Sequence, residues 1–481
     1  MTIWQDFYSL ISVLNLFLAA AVIFIERRNV AVTWAWLMVL LFLPGVGFIL
    51  YLMFGQNVSR WKIYRLKEEY RARLERRIEG QRAKFSEDRI HYHDPDMADY
   101  RDMIYMNLTS AHAIFTQDNR VETFTDGQDK FDALIRDIRR ARDHVHLMYY
   151  IVRNDGTGGR LLDALTEKAR EGVEVRFLYD HIGCTKLPRG FFDPLEAAGG
   201  RTAAFFPSRI PFLNFKLNYR NHRKLAIIDG QIGYIGGFNV GDEYVGLNPR
   251  FGYWRDTHLR MEGSAVHFMQ ARFMLDWNIS APEELDEDGR FFPTPPPHDG
   301  TGVQIVTSGP DNELEQIKNG YIKMIHAAKE YVYIQTPYFI PDDSLLTALK
   351  MAALSGVDVR IMIPARPDHK WVYWASYSYL SEVLAVGVKC FLYRRGFLHA
   401  KTVVMDDKVA SVGTANIDIR SFKLNFEVNA FVYDTAFAGE QRKIYERDMA
   451  SCTELTYALY RSRPIGTKLK ESVARLLSPI F

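Results

Sequence analysis

The chain has 481 residues, enough for about three domain-sized units. Hydrophobic residues make up 48% and charged residues 25%, which excludes a disordered or fibrous chain and implies a globular protein with some membrane-grade sequence. A net charge of only +2 carries no polyanion-binding signature, and Cys184, Cys390 and Cys452 form neither metal-ligand pairs nor an even disulfide set, as in a reducing compartment.

Residues 7–25 carry no charge, and residues 30–54 form a second uncharged run; both are long enough to span a bilayer. Pro44 and Gly45 interrupt the second run, so it either spans with a kink or re-enters. No basic segment precedes the first run and the second follows almost at once, which argues against a cleaved signal peptide. Between residues 60 and 84 ten Lys or Arg stand against four Glu, while the loop between the runs holds two Arg. The positive-inside rule then places the N-terminus and the large C-terminal part in the cytoplasm. The basic stretch 59–84 is expected to form a juxtamembrane helix, suited equally to anionic head groups and to water.

The body repeats one order of elements. Helix-like 131–141, apolar run 145–152, helix-like 161–171 and strand 172–179 are matched by 314–329, 331–340, 344–355 and 356–363. Strands alternating with helices argue for an α/β fold with parallel pairs. Between the halves, residues 281–302 pass from an acidic run into Pro293-Thr-Pro-Pro-Pro, the composition of a semi-rigid linker. At the end of the chain Leu469, Val473, Leu476, Leu477 and Ile480 share one helical face, with Lys468, Lys470 and Arg475 available to the other. That face is expected to pack on the last domain, with the membrane interface as the alternative.

Each half carries the same chemical phrase, 177 positions apart. It reads His222-Arg-Lys224-x4-Asp229-x6-Gly236-Gly-x-Asn239, then His399-Ala-Lys401-x4-Asp406-x6-Gly413-Thr-x-Asn416. Each histidine is expected on a short apolar strand, where residues two apart share a face. His222 and Lys224, like His399 and Lys401, would then point together. Two imidazoles beside two ammonium groups suit a phosphodiester. One histidine attacks phosphorus and the other protonates the departing alkoxide, while the lysines with Asn239 and Asn416 hold the non-bridging oxygens. Asp229 and Asp406 complete the two sets as supports of strand-ending turns rather than reactants. A nucleophilic imidazole needs a carboxylate to fix its tautomer. Asp256 and Glu427, each downstream of its Gly-x-x-Asn, are the candidates. Tyr150 and Tyr338 near the ends of the first strands are assigned to core packing.

The doubled motifs resemble those of the phospholipase D superfamily. Within it, residues 217–224, 236–244, 253–260, 335–345 and 413–427 are similar to bacterial cardiolipin synthases, and the likeness runs from the apolar N-terminus to the Leu-Leu-Ser-Pro ending. The resemblance implies two phospholipase D-like lobes facing each other about a pseudo-two-fold axis, preceded by an N-terminal pair of transmembrane helices in the bacterial inner membrane. It implies transfer of a phosphatidyl group from one phosphatidylglycerol to another, giving cardiolipin and glycerol, with His222 as nucleophile and no metal or nucleotide cofactor. The expected division is an anchor at 1–58, a basic connector at 59–120, lobes at 121–281 and 303–464 joined by 282–302, and a tail at 465–481. Anionic lipids are expected partners, nucleic acid is not, and self-association is left open. A hydrolase or a transferase to another alcohol would share every catalytic residue. A superfamily nuclease would need a basic groove that this near-neutral chain lacks.

Overall fold

The halves of the chain share one continuous sheet. The computed structural model describes residues 13, 17, 19, 20, 30–43, 45–47, 50, 51, 68–207, 218–286, 288–296, 298 and 300–478. In the first half the strands are β1 (Thr116–Phe124), β2 (His144–Tyr149), β3 (Glu174–Asp180), β4 (Arg201–Phe205), β5 (Leu225–Ile228), β6 (Ile232–Gly236), β7 (Tyr253–Arg255) and β8 (His258–Glu262). In the second they are β9 (Thr301–Ser308), β10 (Tyr331–Gln335), β11 (Phe339–Ile340), β12 (Asp358–Pro364), β13 (Lys389–Tyr393), β14 (Gly396–Leu398), β15 (Thr402–Met405), β16 (Val409–Gly413), β17 (Ile417–Asp418), β18 (Glu427–Tyr433) and β19 (Cys452–Leu455).

Among the described residues fifteen strands form the main sheet, in the order β19-β13-β12-β10-β15-β16-β18-β9-β1-β8-β6-β5-β2-β3-β4. Outward from the β9–β1 seam, the same sequence of roles unfolds in both directions. A long antiparallel strand comes first, then the carboxylate-bearing region, the motif hairpin, and three parallel strands. This is the pseudo-two-fold arrangement of two α/β lobes. The parallel strands β2, β3, β10 and β12 are rich in buried Val, Ile, Leu and Met because helices cover them. Those helices begin where the sequence supplies an acceptor. Asp126, Asp155, Asp342 and Asp434 cap Gly127–Arg140, Gly156–Arg170, Asp343–Leu354 and Thr435–Met449 by accepting backbone N–H bonds in the first turn. One apolar cluster crosses the seam, joining Leu225, Ile235 and Leu259 to Val404, Val412 and Val428, so the lobes share a core.

The basic stretch forms the helix Glu68–Ser86 over its described part. Of the two uncharged N-terminal runs, the described part includes the apolar helix Val30–Phe42; most of the remainder lies outside the described residues. Among the described residues no helix is long and apolar enough to cross a membrane. In the segment joining the lobes, Phe291 is buried against His144, with ring centroids 4.8 Å apart, and the carbonyl of Pro293 accepts from His267 at 2.9 Å.

Candidate active site

Both motifs enter the sheet by the same local device. The histidines and lysines do not lie within regular strand, as the apolar pattern suggests. They occupy extended backbone just upstream, and β5 and β15 begin at Leu225 and Thr402. The alternation still holds: Arg223 turns away from its neighbours to pair with Asp276 at 2.7 Å and to donate to the Glu427 carbonyl at 3.1 Å. His222, Lys224, His399 and Lys401 are all buried.

Each histidine is seated by the other lobe. The His222 backbone N–H donates to the Phe426 carbonyl at 3.0 Å, and that of His399 to the Arg255 carbonyl at 2.7 Å. The short parallel pair β14–β7 and the bridge Asn221–Phe426 fix these crossings. The residue after each accepting carbonyl is the expected carboxylate. Glu427 receives His222 Nδ1 at 2.9 and 3.0 Å, and Asp256 receives His399 Nδ1 at 2.6 Å. An ionised carboxylate only accepts, so Nδ1 carries the proton and Nε2 keeps its lone pair. Sequence reasoning found both acids but not that they are exchanged between lobes.

The two acids are steadied differently. Thr414 Oγ1 donates to Glu427 at 2.6 Å and Asn425 Nδ2 at 3.2 Å. The equivalent of Thr414 is Gly237, and a Cβ there would stand 1.9 Å from an Asp256 oxygen. Glycine is required because the shorter Asp256 lies against that backbone. Asp256 takes its own fixed bond from the Thr257 N–H at 2.8 Å.

Lys224 Nζ donates to the His222 carbonyl at 2.6 Å, and Lys401 Nζ reaches the His399 carbonyl and lies 2.8 Å from its Nδ1. Burial pushes both imidazoles down to about 4, with the neighbouring lysine charges adding to the effect. Lys401 acts on His222 and Lys224 on His399, so the motifs form one electrostatic unit. Burial likewise brings Lys224 down to about 7 and Lys401 to about 8. It works the other way on the acids, but their partners override it: Lys401 and the His399 contact hold Asp256, and the His222 contact and Lys224 hold Glu427, below the usual carboxylate range. The result is a site of neutral imidazoles and retained anions beside two lysines, a setting for one phosphate.

Asp229 accepts backbone N–H bonds from Arg142, Asp143 and His144 at 2.9–3.0 Å, and Asp406 those of Lys329, Glu330 and Tyr331 at 2.6–3.0 Å. Both sit at φ near +50°, a backbone state that Asp tolerates. Each ties the end of a motif strand to the start of β2 or β10 and touches no reacting group. Asn239 Oδ1 accepts the Ile151 N–H at 3.2 Å, and Asn416 bonds Asp418, so both asparagines brace loops of the cleft. Tyr150 is not simple core packing. Its ring meets His222 edge-on at 4.9 Å and lies 5.5 Å from Lys224 Nζ. Trp254 stands over His399 at 5.1 Å. No residue pattern marks these aromatics: Tyr150 meets its own lobe's motif across the sheet, and Trp254 meets His399 only through the crossing of the lobes. Among the described residues no three His, Cys, Asp or Glu side chains converge as a metal-ligand set.

The family model described as cardiolipin synthase, phospholipase D-like domain, matches residues 134–249 and 321–449. A curated relative, the major cardiolipin synthase ClsA of Bacillus subtilis (strain 168), is 53% identical over 482 residues, covering 100% of both chains. The chain belongs to the phospholipase D-like cardiolipin synthase family. A second family model, the phospholipase D-nuclease N-terminal domain, matches residues 13–56. The cardiolipin synthase of Oceanobacillus iheyensis is 52% identical over 469 residues, 98% of each chain. Among solved structures, the phosphatidylserine synthase of Haemophilus influenzae Rd KW20 superposes with a TM-score of 0.62 at 14% identity, covering 79% of this chain and 100% of that one. That likeness is one of fold.

Proposed function

We propose that the cleft transfers a phosphatidyl group between two phosphatidylglycerol molecules through a phosphohistidine, giving cardiolipin and glycerol. The protein is a phosphatidyltransferase of the cardiolipin synthase type, as its family and its relatives are named. The observation that carries the reading is the exchange of carboxylates. Each lobe's acid fixes the other lobe's histidine with Nε2 as the free nitrogen, so two matched imidazoles serve one phosphorus.

In the first step the phosphate of one phosphatidylglycerol lies between Lys224 and Lys401. As the anionic phosphate binds, His399 takes up a second proton on Nε2; His222 Nε2 then attacks phosphorus, the bond from phosphorus to the glycerol oxygen breaks, and His399 gives that proton to the oxygen. In the second step the primary hydroxyl of another phosphatidylglycerol gives its proton to His399. Its oxygen attacks phosphorus, and the phosphorus–nitrogen bond breaks. One phosphodiester replaces another, so no nucleotide is consumed. The lysines stabilise charge on the non-bridging oxygens. Thr414 and Asn425 give Glu427 a firmer seat than Asp256 has, which supports His222 as the nucleophile, whose tautomer must persist through both steps.

Membrane association accompanies the family. The finer reading is an anchor at residues 1–58 passing the inner membrane twice, with both lobes on the cytoplasmic side next to anionic lipid. The basic excess between residues 60 and 84 supports it. The purified protein with phosphatidylglycerol in mixed micelles and chelator is expected to release cardiolipin and glycerol, and its His399→Ala form neither. Phosphatidic acid as the sole product would make water the acceptor and the protein a hydrolase.

A further inference from the structure

The last helix, Ile465–Leu476, wears its amphipathic pattern inside out. The side packed on the body, against the helix Lys370–Leu384, is polar or small. Glu471 pairs with Arg463 at 2.9 Å, Ala474 is buried, and Ser478 just beyond the helix bonds the Tyr379 hydroxyl at 3.0 Å. The apolar ridge faces outward instead: Ile465 is 84% exposed, Leu469 65% and Leu476 80%, with Val473 at 41%. In a water-facing helix the two faces would be reversed. A ridge of this kind on a folded body marks an interaction surface.

Charge and position say what covers it. At 100° per residue, exposed Lys468 lies along one border of the ridge and exposed Lys470 along the other, a lysine on each side of an apolar strip, while Arg475 turns to the body and pairs with Glu382. Lys470 lies 5.7 Å from the Trp374 ring, and Trp371, 48% exposed, makes an edge contact with Trp374 at 5.4 Å. An exposed tryptophan beside leucines and lysines is the side-chain set of a bilayer interface. The patch also reaches towards the ends of the first strands of the second lobe. Asp368, three residues before Trp371, accepts the hydroxyl of Tyr338, which follows β10.

We propose that the outward ridge of the last helix, with Trp371 beside it, docks on the surface of an anionic bilayer and so presents the cleft to lipid. The inference rests on the lipid-transferring activity assigned above. It adds a second attachment to the membrane, far in sequence from the N-terminal runs.

The test uses the full chain in vesicles. A Cys452→Ser, Leu469→Cys form carrying an environment-sensitive fluorophore is reconstituted into phosphatidylglycerol or phosphatidylcholine vesicles containing lipids spin-labelled near the head group. Quenching several-fold stronger in phosphatidylglycerol is expected. Three outcomes would overturn the proposal: a label equally accessible to aqueous iodide in both lipids; a label shielded from iodide yet unquenched by lipid, which means cover by another part of this chain; or shielding that scales with protein density, which means a second copy. Independently, Leu469→Asp with Leu476→Asp should slow turnover of long-chain phosphatidylglycerol in vesicles roughly tenfold while sparing a short-chain, monomeric analogue. Equal losses on both would place the ridge in the fold rather than at the membrane. Failure of the unaltered protein to form cardiolipin from either substrate would strike at the assigned activity, and the quenching result would still decide the docking.

Discussion

His222 and His399 are both neutral at physiological pH because burial and neighbouring lysines draw them down to about 4. The general acid of the first step must nevertheless hold two protons. A bound phosphodiester supplies the missing counter-charge in a site of low dielectric and raises the imidazole it touches. Binding a non-hydrolysable phosphodiester lipid at pH 6–7 should therefore take up a proton, seen by calorimetry as a binding heat that changes with buffer ionisation enthalpy; the His399→Ala form should lose that dependence. Glu427→Gln and Asp256→Asn leave the hydrogen-bond geometry but remove the anion that stabilises imidazolium. Each should lower kcat about 10³-fold with KM little changed, by the logic of catalytic histidine–carboxylate pairs. Gly237→Ala tests the same contact from behind. A methyl 1.9 Å from an Asp256 oxygen must displace that carboxylate, so the loss should approach that of Asp256→Asn.

At the scale of elements, Asp229 and Asp406 act on backbone, each gathering three N–H groups at a strand junction. Asp406→Ala should cost about 2–3 kcal/mol of stability by denaturant unfolding in detergent, with activity per folded molecule falling far less than in His399→Ala. The doubled spacing made this much legible: which residues recur in both halves, that the halves match, and that the aspartates belong to turns. Periodicity could not reveal that His222 answers to Glu427 and His399 to Asp256. Those pairings depend on β7 meeting β14 and on Asn221 meeting Phe426, contacts between segments more than 140 positions apart. It also placed the histidines inside strands that begin only at Leu225 and Thr402. The tail failed for another reason. A helical wheel separates Leu469 and Val473 from Lys468 and Glu471, but it does not say which side meets the protein. The usual preference for apolar burial gave the opposite of what is found, because Glu471, Ala474 and Ser478 make the contact.

Across the whole molecule, burial sets a common pH response. His144, His146, His222, His258 and His399 are all shifted below their ordinary value, burial being the first cause in each. The unfolded chain therefore takes up protons before the folded one does. Stability is fully present above the unfolded value of about 6.5 and is lost as pH falls from there towards 4, where the catalytic pair titrates in the folded state. Thermal unfolding in detergent should shift down by on the order of 5 °C between pH 7 and pH 5, and a Tm unchanged over that interval would mean these histidines are already protonated in the fold. The continuous sheet and the crossed carboxylates also bear on how the protein is made. During synthesis the first histidine emerges more than two hundred residues ahead of the acid that fixes it, and the second emerges more than 140 residues after its own. A half-made or truncated chain at the membrane holds no complete reactive centre. The duplication thus leaves each histidine without its tautomer-fixing acid until both lobes are present.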